Sequence, residues 1–582
     1  MRMIARKWLP TFGGGCWHSW ALDLSLIMAL AGLVPIMLGV ATWTEPFTPD
    51  SQFYLSLGAF GEGINAHVPY PMYYWTRLGE IVPVRALGSI LDPYWASWSW
   101  RWLMLGGLGC SGYLVGRAVA SRVIGVGMVF VVVLNPVVLS MLGDPYPIRT
   151  ILPILAVESA SLVIAVIVSG RRRHLLFALA GASTGVAILT SQIAGVLAVL
   201  LLIATPVALL RRGRFRPAVT AYGSAAGGAA IAMVVLLGAG RVVFPDGNWF
   251  ATTWSSVRTI NPADYRAPDL HWLMTDPSLL VPAFVILALA VLLWQGGSFP
   301  IRVRGAARAA LILNCVAVSG ALIMAFAYGS NVLEFQLYNS MLWAPALVGL
   351  VVAIAALCCL ARPNVRGVVA LLAAAATIIA ATLPVPRFDV VPVGVLLVVF
   401  GLTPLILLGG RAWTRLVSAR PVLVFTGVVL IATCPQVLAN GTAPDGDSFL
   451  ARKDYQSVFL GRSQDQGEQY REAISVTGTV LRITGSRAKL MSWSTDPGSL
   501  AIGAMFLNTF GGTAVNGPTA AYLRGSAPTH LVVVSRNYGA VLSLRGRLAR
   551  HGIHLTPGLC VTTGKAGSSV GQFIVCPWRI SD

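Results

Sequence analysis

The sequence is short of charge. Only 11% of its 582 residues are Asp, Glu, Lys or Arg, against roughly 25% in an ordinary soluble domain. Acids are the scarcer sign, 22 against 42 basic residues, for a formal net charge of +20. With 56% hydrophobic residues and a mean hydropathy of +0.73, no water-bounded core could hide the apolar surface, so lipid must cover part of it. Other absences narrow the chemistry. There is no Gly-rich phosphate loop and no dinucleotide fingerprint. No CxxC motif or His/Cys cluster has zinc-ligand spacing. No continuous basic face with interleaved aromatics supports nucleic-acid binding. No Ala-x-Ala site follows the first apolar run, so that run, preceded by Arg2, Arg6 and Lys7, reads as an uncleaved anchor. Internal repeats and low-complexity segments are also lacking.

What is there is a series of apolar runs long enough to span a bilayer. Thirteen lie near 21–43, 102–120, 123–142, 150–169, 175–190, 193–210, 218–243, 277–295, 308–328, 342–361, 367–383, 394–410 and 421–438. Arginines cluster between them: Arg171 to Arg173; Arg211, Arg212, Arg214 and Arg216; Arg302, Arg304 and Arg308; Arg362 and Arg366; Arg411, Arg415 and Arg420. With the N-terminus in the cytoplasm every cluster falls inside, as the positive-inside rule requires. The expected fold class is a polytopic α-helical membrane protein. A transmembrane domain would cover 1–438, with a long first outer loop at 44–101 and shorter outer loops at 143–149, 244–276, 329–341 and 384–393. Thr190, Ser191 and Gln192 must then make a very tight outer turn. The preference for Arg, Ala, Gly and Val suggests a GC-rich bacterial genome and hence a bacterial inner (plasma) membrane.

Residues 439–582 change in character and read as a small extracytoplasmic α/β domain. β-rich runs (Lys489–Trp493, His530–Ser535, Gln572–Cys576) alternate with helical patterns (Leu500–Phe510, Tyr538–His551). Cys560 and Cys576 flank two of these candidate strands. On an oxidising side they would form a disulfide stabilising by about 3 kcal/mol; otherwise they are two free thiols.

The residues that could carry chemistry lie in the outer loops. Asp50 stands a few residues beyond the first span, and Asp144 sits in the short second loop. Two carboxylates at one lipid–water boundary suit general-base work on an acceptor hydroxyl or binding of a divalent cation, magnesium or manganese. Arg77 and Arg149 could hold a phosphate headgroup through bidentate hydrogen bonds. The first loop also supplies Tyr54, Tyr74 and Glu80 as candidate substrate contacts. Later loops add Arg258 and Arg266 for a donor phosphate, and His271, Glu334 and Gln336 for substrate. Glu158 lies inside the fourth span, where a carboxyl group is costly and marks a functional or hydrogen-bonded position. Tyr94, Trp95, Trp98, Trp100 and Trp102 read as an interfacial belt.

An acid just after the first span, a long first outer loop with interfacial helices, a second acid after the third span, and the segment Thr76-Arg77-Leu78-Gly79-Glu80-Ile81-Val82-Pro83 resemble the GT-C membrane glycosyltransferases. Thirteen helices followed by an external α/β domain are similar to bacterial aminoarabinose transferases and protein O-mannosyltransferase relatives. The resemblance implies a sugar donor carried on a polyprenyl phosphate, attacked with inversion by a hydroxyl of an envelope glycan, lipid or protein. It assigns Asp50 as catalytic base and Asp144 as its support or as a metal ligand. Paired acids are common at these places in the family, whereas here Asp50 is followed by Ser51 and Asp144 by Pro145. Two alternatives stand beside this reading: a transporter or flippase of lipid-linked saccharides, and a non-catalytic envelope assembly protein.

Overall fold

A computed structural model describes residues 23–32, 54, 57–61, 73–133, 138, 142, 147–210, 215–245, 247–259, 280–294, 299–327, 340–357, 475, 478–484, 490–494, 529–535, 537–563 and 573–581. The apolar runs form helices because lipid offers the backbone no hydrogen-bond partner, so each segment must satisfy its own. The helices are α1 (Asp23–Gly32), α2 (Leu78–Gly88), α3 (Pro93–Val119), α4 (Arg122–Val133), α5 (Ile148–Ile167), α6 (Arg171–Ile188) and α7 (Gln192–Leu210). They continue with α8 (Phe215–Val243), α9 (Trp249–Thr259), α10 (Leu280–Trp294), α11 (Ile301–Leu322) and α12 (Trp343–Leu357). Among the described residues, three helices are long and apolar enough to cross a membrane: Ile148–Ile167, Ala218–Val243 and Ile301–Ala325. The tight turn expected at 190–192 separates two helices, α6 and α7. The expected spans at 367–383, 394–410 and 421–438, and the boundary near 438, lie outside the described residues.

The first outer loop is more helical than its hydropathy suggests. α3 begins at Pro93, nine residues before the apolar run, because Asp92 caps it by accepting a 2.9 Å bond from the Tyr94 backbone N–H and Pro93 presets the first turn. Tyr94, Trp95 and Trp98 therefore sit on helix, packed edge to face. α6 and α8 are held together by small residues. A Cβ added to Gly181 would lie 1.8 Å from the Ala225 carbonyl oxygen, and one on Gly228 would lie 1.9 Å from that of Ala178. The two backbones touch, as in close-packed membrane helix pairs. On its other side α8 turns Ile231, Val234, Val235 and Val242 outward, each more than 60% exposed, which is a surface made for lipid.

Charged side chains sort to the two ends of the bundle. At one end Asp23 is buried against Arg117, at 2.7 Å, and Arg122, with Tyr113 bonded to the same carboxylate. The α5–α6 turn, with Arg171 to Arg173, and the start of α11, with Arg302, are at this basic end, where Ala118 at the foot of α3 joins them around one cavity. The opposite end gathers α2, the α6–α7 turn and the C-terminal turns of α8.

The tail forms a mixed five-stranded sheet from β1 (Leu490–Ser494), β2 (His530–Ser535), β3 (His554–Thr556), β4 (Val561–Thr563) and β5 (Phe573–Ser581), with α13 (Tyr538–Arg550) against it. The order is β1-β2-β5-β3, with β4 also pairing β5. β1 and β2 are parallel and the remaining pairs antiparallel. Alternation divides the faces. Leu531, Val533, Cys576 and Trp578 pack on Val541, Leu544 and Leu548 of α13, while Leu490, Val532, Val534 and Val575 belong to the apolar cluster continuous with the bundle. Cys560 and Cys576 form a disulfide. The expected helix at Leu500–Phe510 lies outside the described residues.

Candidate functional site

The end of the bundle opposite the basic cavity is organised by α2. Its first residues dock on the α6–α7 turn: Gly79 donates its N–H to the Leu189 carbonyl at 3.1 Å, and Arg77 donates to the Gln192 side chain. Two residues on, Glu80 meets the first turn of α5. Arg149 Nε donates to Glu80 Oε1 at 2.5 Å, and its Nη1 reaches the Ser97 hydroxyl at 2.8 Å. Thr150 donates to Glu80 Oε2 at 2.5 Å, and the Trp100 indole N–H bonds Thr150 at 2.9 Å and Glu80 at 3.3 Å. Glu80 and Arg149 are 1% and 2% exposed. They make one closed network joining α2, α3 and α5, an internal pair rather than two open groups facing a ligand.

Beside it lies an open aromatic cleft of about 220 Å³, between the short turn Tyr73–Thr76 with Leu78 on one side and the end of α8 with the start of α9 on the other. Trp75 and Phe244 pack at a tilt of 42° with ring centroids 5.8 Å apart, and Trp249 and Phe250 meet edge to face at 5.1 Å. The Trp249 indole N–H donates to the Thr76 carbonyl at 2.6 Å and pins the two walls together. Asn248 caps α9 through its side-chain oxygen, 3.1 Å from the Ala251 N–H. Arg241 is exposed at the rim, where it donates to the Pro245 carbonyl at 3.3 Å. Trp75 and Phe244 are buried in the wall, so the cleft offers the exposed Phe250 ring, the half-buried Trp249, an amide and a guanidinium at a helix end, a set suited to a sugar joined to a phosphate. Nearby, Arg85 donates to the Ala59 carbonyl at 2.5 Å, and Gly61 lies against Val243. The segment downstream of Asp50 is thereby fastened to the same rim.

Of the residues expected from sequence, Arg77, Glu80 and Arg149 come together at this end, while Tyr54 is buried in the bundle core. Tyr74 falls in the turn Tyr73–Thr76 and Arg258 in the last turn of α9; their side chains are not described. Asp50, Asp144, Arg266, His271, Glu334 and Gln336 lie outside the described residues. Sequence reasoning missed Trp75, Arg241, Phe244, Asn248 and Trp249. The signal was available: Arg241 is a cation at the end of an apolar run opposite the basic clusters, and Phe-Pro-Asp-Gly-Asn-Trp-Phe begins three residues later. Among the described residues no group of three or more His, Cys, Asp or Glu side chains is arranged to hold a metal.

Glu158, on α5, is fully buried, and neither carboxyl oxygen has a hydrogen bond within 3.5 Å; the Ser159 hydroxyl is in the same condition. The Thr184 hydroxyl on α6 is the polar group that bears on Glu158.

No protein-family model and no curated protein matches the chain. Among solved structures it is similar to the crystal structure of ArnT from Cupriavidus metallidurans in the apo state. The TM-score is 0.43 at 14% sequence identity, over 96% of this chain and 98% of that one. A likeness of that degree leaves the activity to be argued from the residues themselves.

Proposed function

We propose that the chain is a membrane glycosyltransferase that moves a sugar from a polyprenyl-phosphate donor to a hydroxyl of an envelope glycan, lipid or protein. The observation that carries this reading is the aromatic cleft with Arg241 at its rim, set where α8 ends. Aromatic rings stack on the apolar faces of a sugar, and an arginine fork matches phosphate oxygens. On this reading the basic end faces the cytoplasm. The cleft then opens at the outer headgroup level, and the Cys560–Cys576 disulfide stands on the oxidising side.

In the proposed step the Asp50 carboxylate takes the proton of the acceptor hydroxyl. The freed oxygen pair attacks the anomeric carbon, and the carbon–oxygen bond to the lipid phosphate breaks. The phosphate leaves with the bonding pair, its charge held by Arg241 together with Arg258 and Arg266. Asp144 stands three residues before Pro147, so a tether of about 11 Å at most links it to the α5 start. There the Glu80–Arg149 network acts as a positioning device that fixes α2 against α3 and α5.

Glu158 favours a second reading, a transporter or flippase of lipid-linked saccharides, because an unsatisfied acid inside a span is the usual mark of a translocation path. One experiment separates the two. Membrane vesicles containing the chain are supplied with a panel of radiolabelled polyprenyl-phosphate hexoses and pentoses. The label should pass to an acceptor fraction, Asp50→Asn should lower transfer by about 100-fold or more, and Arg241→Gln should raise the donor KM. Undiminished transfer by Asp50→Asn would remove the catalytic assignment. Label that crosses the membrane without changing carrier, and stops doing so in Glu158→Gln, would establish the transport reading in its place.

A further inference from the structure

We infer that the basic end of the bundle holds a second binding site, for the phosphate headgroup of an anionic lipid. It is independent of the proposed reaction and lies at the other end of the molecule from the aromatic cleft. A cavity of about 420 Å³ opens there between the foot of α3, the α5–α6 turn and the first turn of α11. That volume is within the range of about 300–1,000 Å³ common for small-ligand sites.

The turn is built to present cations. Gly170 has φ 67° and ψ −152°, a backbone state open essentially to glycine alone, which lets α6 start directly after α5 ends. Arg173 then folds back and caps α5, bonding the Val168 carbonyl at 2.6 and 2.9 Å and that of Ala165 at 3.2 Å. Arg171 and Arg172, the two before it, line the cavity. Arg302 joins them from α11, whose Gly305 sits against Ile167 one turn later; a Cβ there would lie 3.3 Å from the Ile167 side chain.

Among the described residues, three guanidinium groups line this cavity with the Ser169 hydroxyl, and no carboxylate is among the lining. A phosphate oxygen cluster satisfies several arginine forks at once. The remaining lining, Ala118, Ile167 and Val168, is apolar. A free phosphate has no use for that wall, whereas the glycerol and first acyl carbons of a phospholipid would cover it. Basic pockets between membrane helices hold lipid headgroups in this manner.

The test uses the full-length chain purified in detergent and native mass spectrometry with phosphatidylglycerol, phosphatidylcholine or inorganic phosphate. The cavity variant is Arg171→Gln/Arg172→Gln/Arg302→Gln. The control, Arg545→Gln/Arg547→Gln/Arg550→Gln, removes the same charge from exposed positions on α13. Wild type and control should bind phosphatidylglycerol at least tenfold more tightly than the cavity variant, with no such difference for phosphatidylcholine. Arg302→Gln alone should give an intermediate loss. Equal phosphatidylglycerol binding by wild type and cavity variant would overturn the site. Arginine-dependent binding of inorganic phosphate without phosphatidylglycerol would overturn the lipid assignment and put a soluble phosphate in the cavity.

Discussion

Glu80 is surrounded by donors that have no water to turn to. Three side chains, Arg149, Thr150 and Trp100, converge on its two oxygens. Removing its charge leaves the Arg149 guanidinium buried against a neutral partner, so Glu80→Gln should lower stability by about 3–5 kcal/mol. Glu80→Gln/Arg149→Met should recover much of that loss, because the pair is then replaced rather than broken. Thermal unfolding of the detergent-purified protein checks both; equal stability of wild type and Glu80→Gln would show that the pair contributes nothing. The sequence displays these charges beside lipid but not their meeting across 69 positions, since linear spacing carries no information about which turn packs on which. For the same reason Arg77 looks like a phosphate clamp in the sequence, while in the structure it donates to Gln192. Arg241, a single arginine at the end of an apolar run, reads in the sequence as no more than a helix end.

Among the helices, the α6–α8 pair has no room to spare. Gly181 sits where any side chain would strike the Ala225 backbone, and a rigid helix cannot yield as a flexible side chain can. Gly181→Val should cost about 1–3 kcal/mol by overpacking. Gly223→Val, on α8 where an added Cβ meets nothing within 4 Å, should be nearly neutral; equal effects of the two would refute close backbone contact. Hydropathy marks α5 to α8, α10 and α12 within a few residues; it passes over α9, expected as loop, and sets the start of α11 seven residues late because Arg302, Arg304 and Arg308 dilute its first turns. It fails at the start of α3, where Trp, Tyr and Ser dilute the apolar signal although capping starts the helix. It also fails in the tail. β3 and β4 have three residues each, too few for a period-two pattern. The expected strand Gln572–Cys576 stops before Pro577, whereas β5 runs on through it to Ser581. Ile580 donates to Thr529 on the β2 side, so alternation puts the Pro577 nitrogen on the opposite edge. That edge is paired by β4 only to Val575 and by β3 only from Arg579, and Pro577 falls in the gap.

At the scale of the whole molecule, the tail sheet is held by its own core and by a disulfide closing 16 residues of sequence. Cys560→Ala should lower the sheet's stability by about 3 kcal/mol. Limited proteolysis should show faster cleavage within 529–581 and an unchanged bundle, and reductant should make wild type behave like the variant. Resistance unaltered by either treatment would show that the sheet does not depend on the bridge. A last consequence follows from helix length. Ala218–Val243 is 26 residues long while Ile148–Ile167 is 20, so at about 1.5 Å per residue they measure about 39 and 30 Å against a hydrocarbon slab of about 30 Å. The longer helix must tilt or protrude, and its surplus carries Arg241 and ends one residue before Phe244. How deep these two sit is then set by the thickness of the surrounding membrane. A thicker bilayer draws them toward the acyl chains, a thinner one lifts them into water, and lipid composition becomes a control on what the aromatic rim can reach.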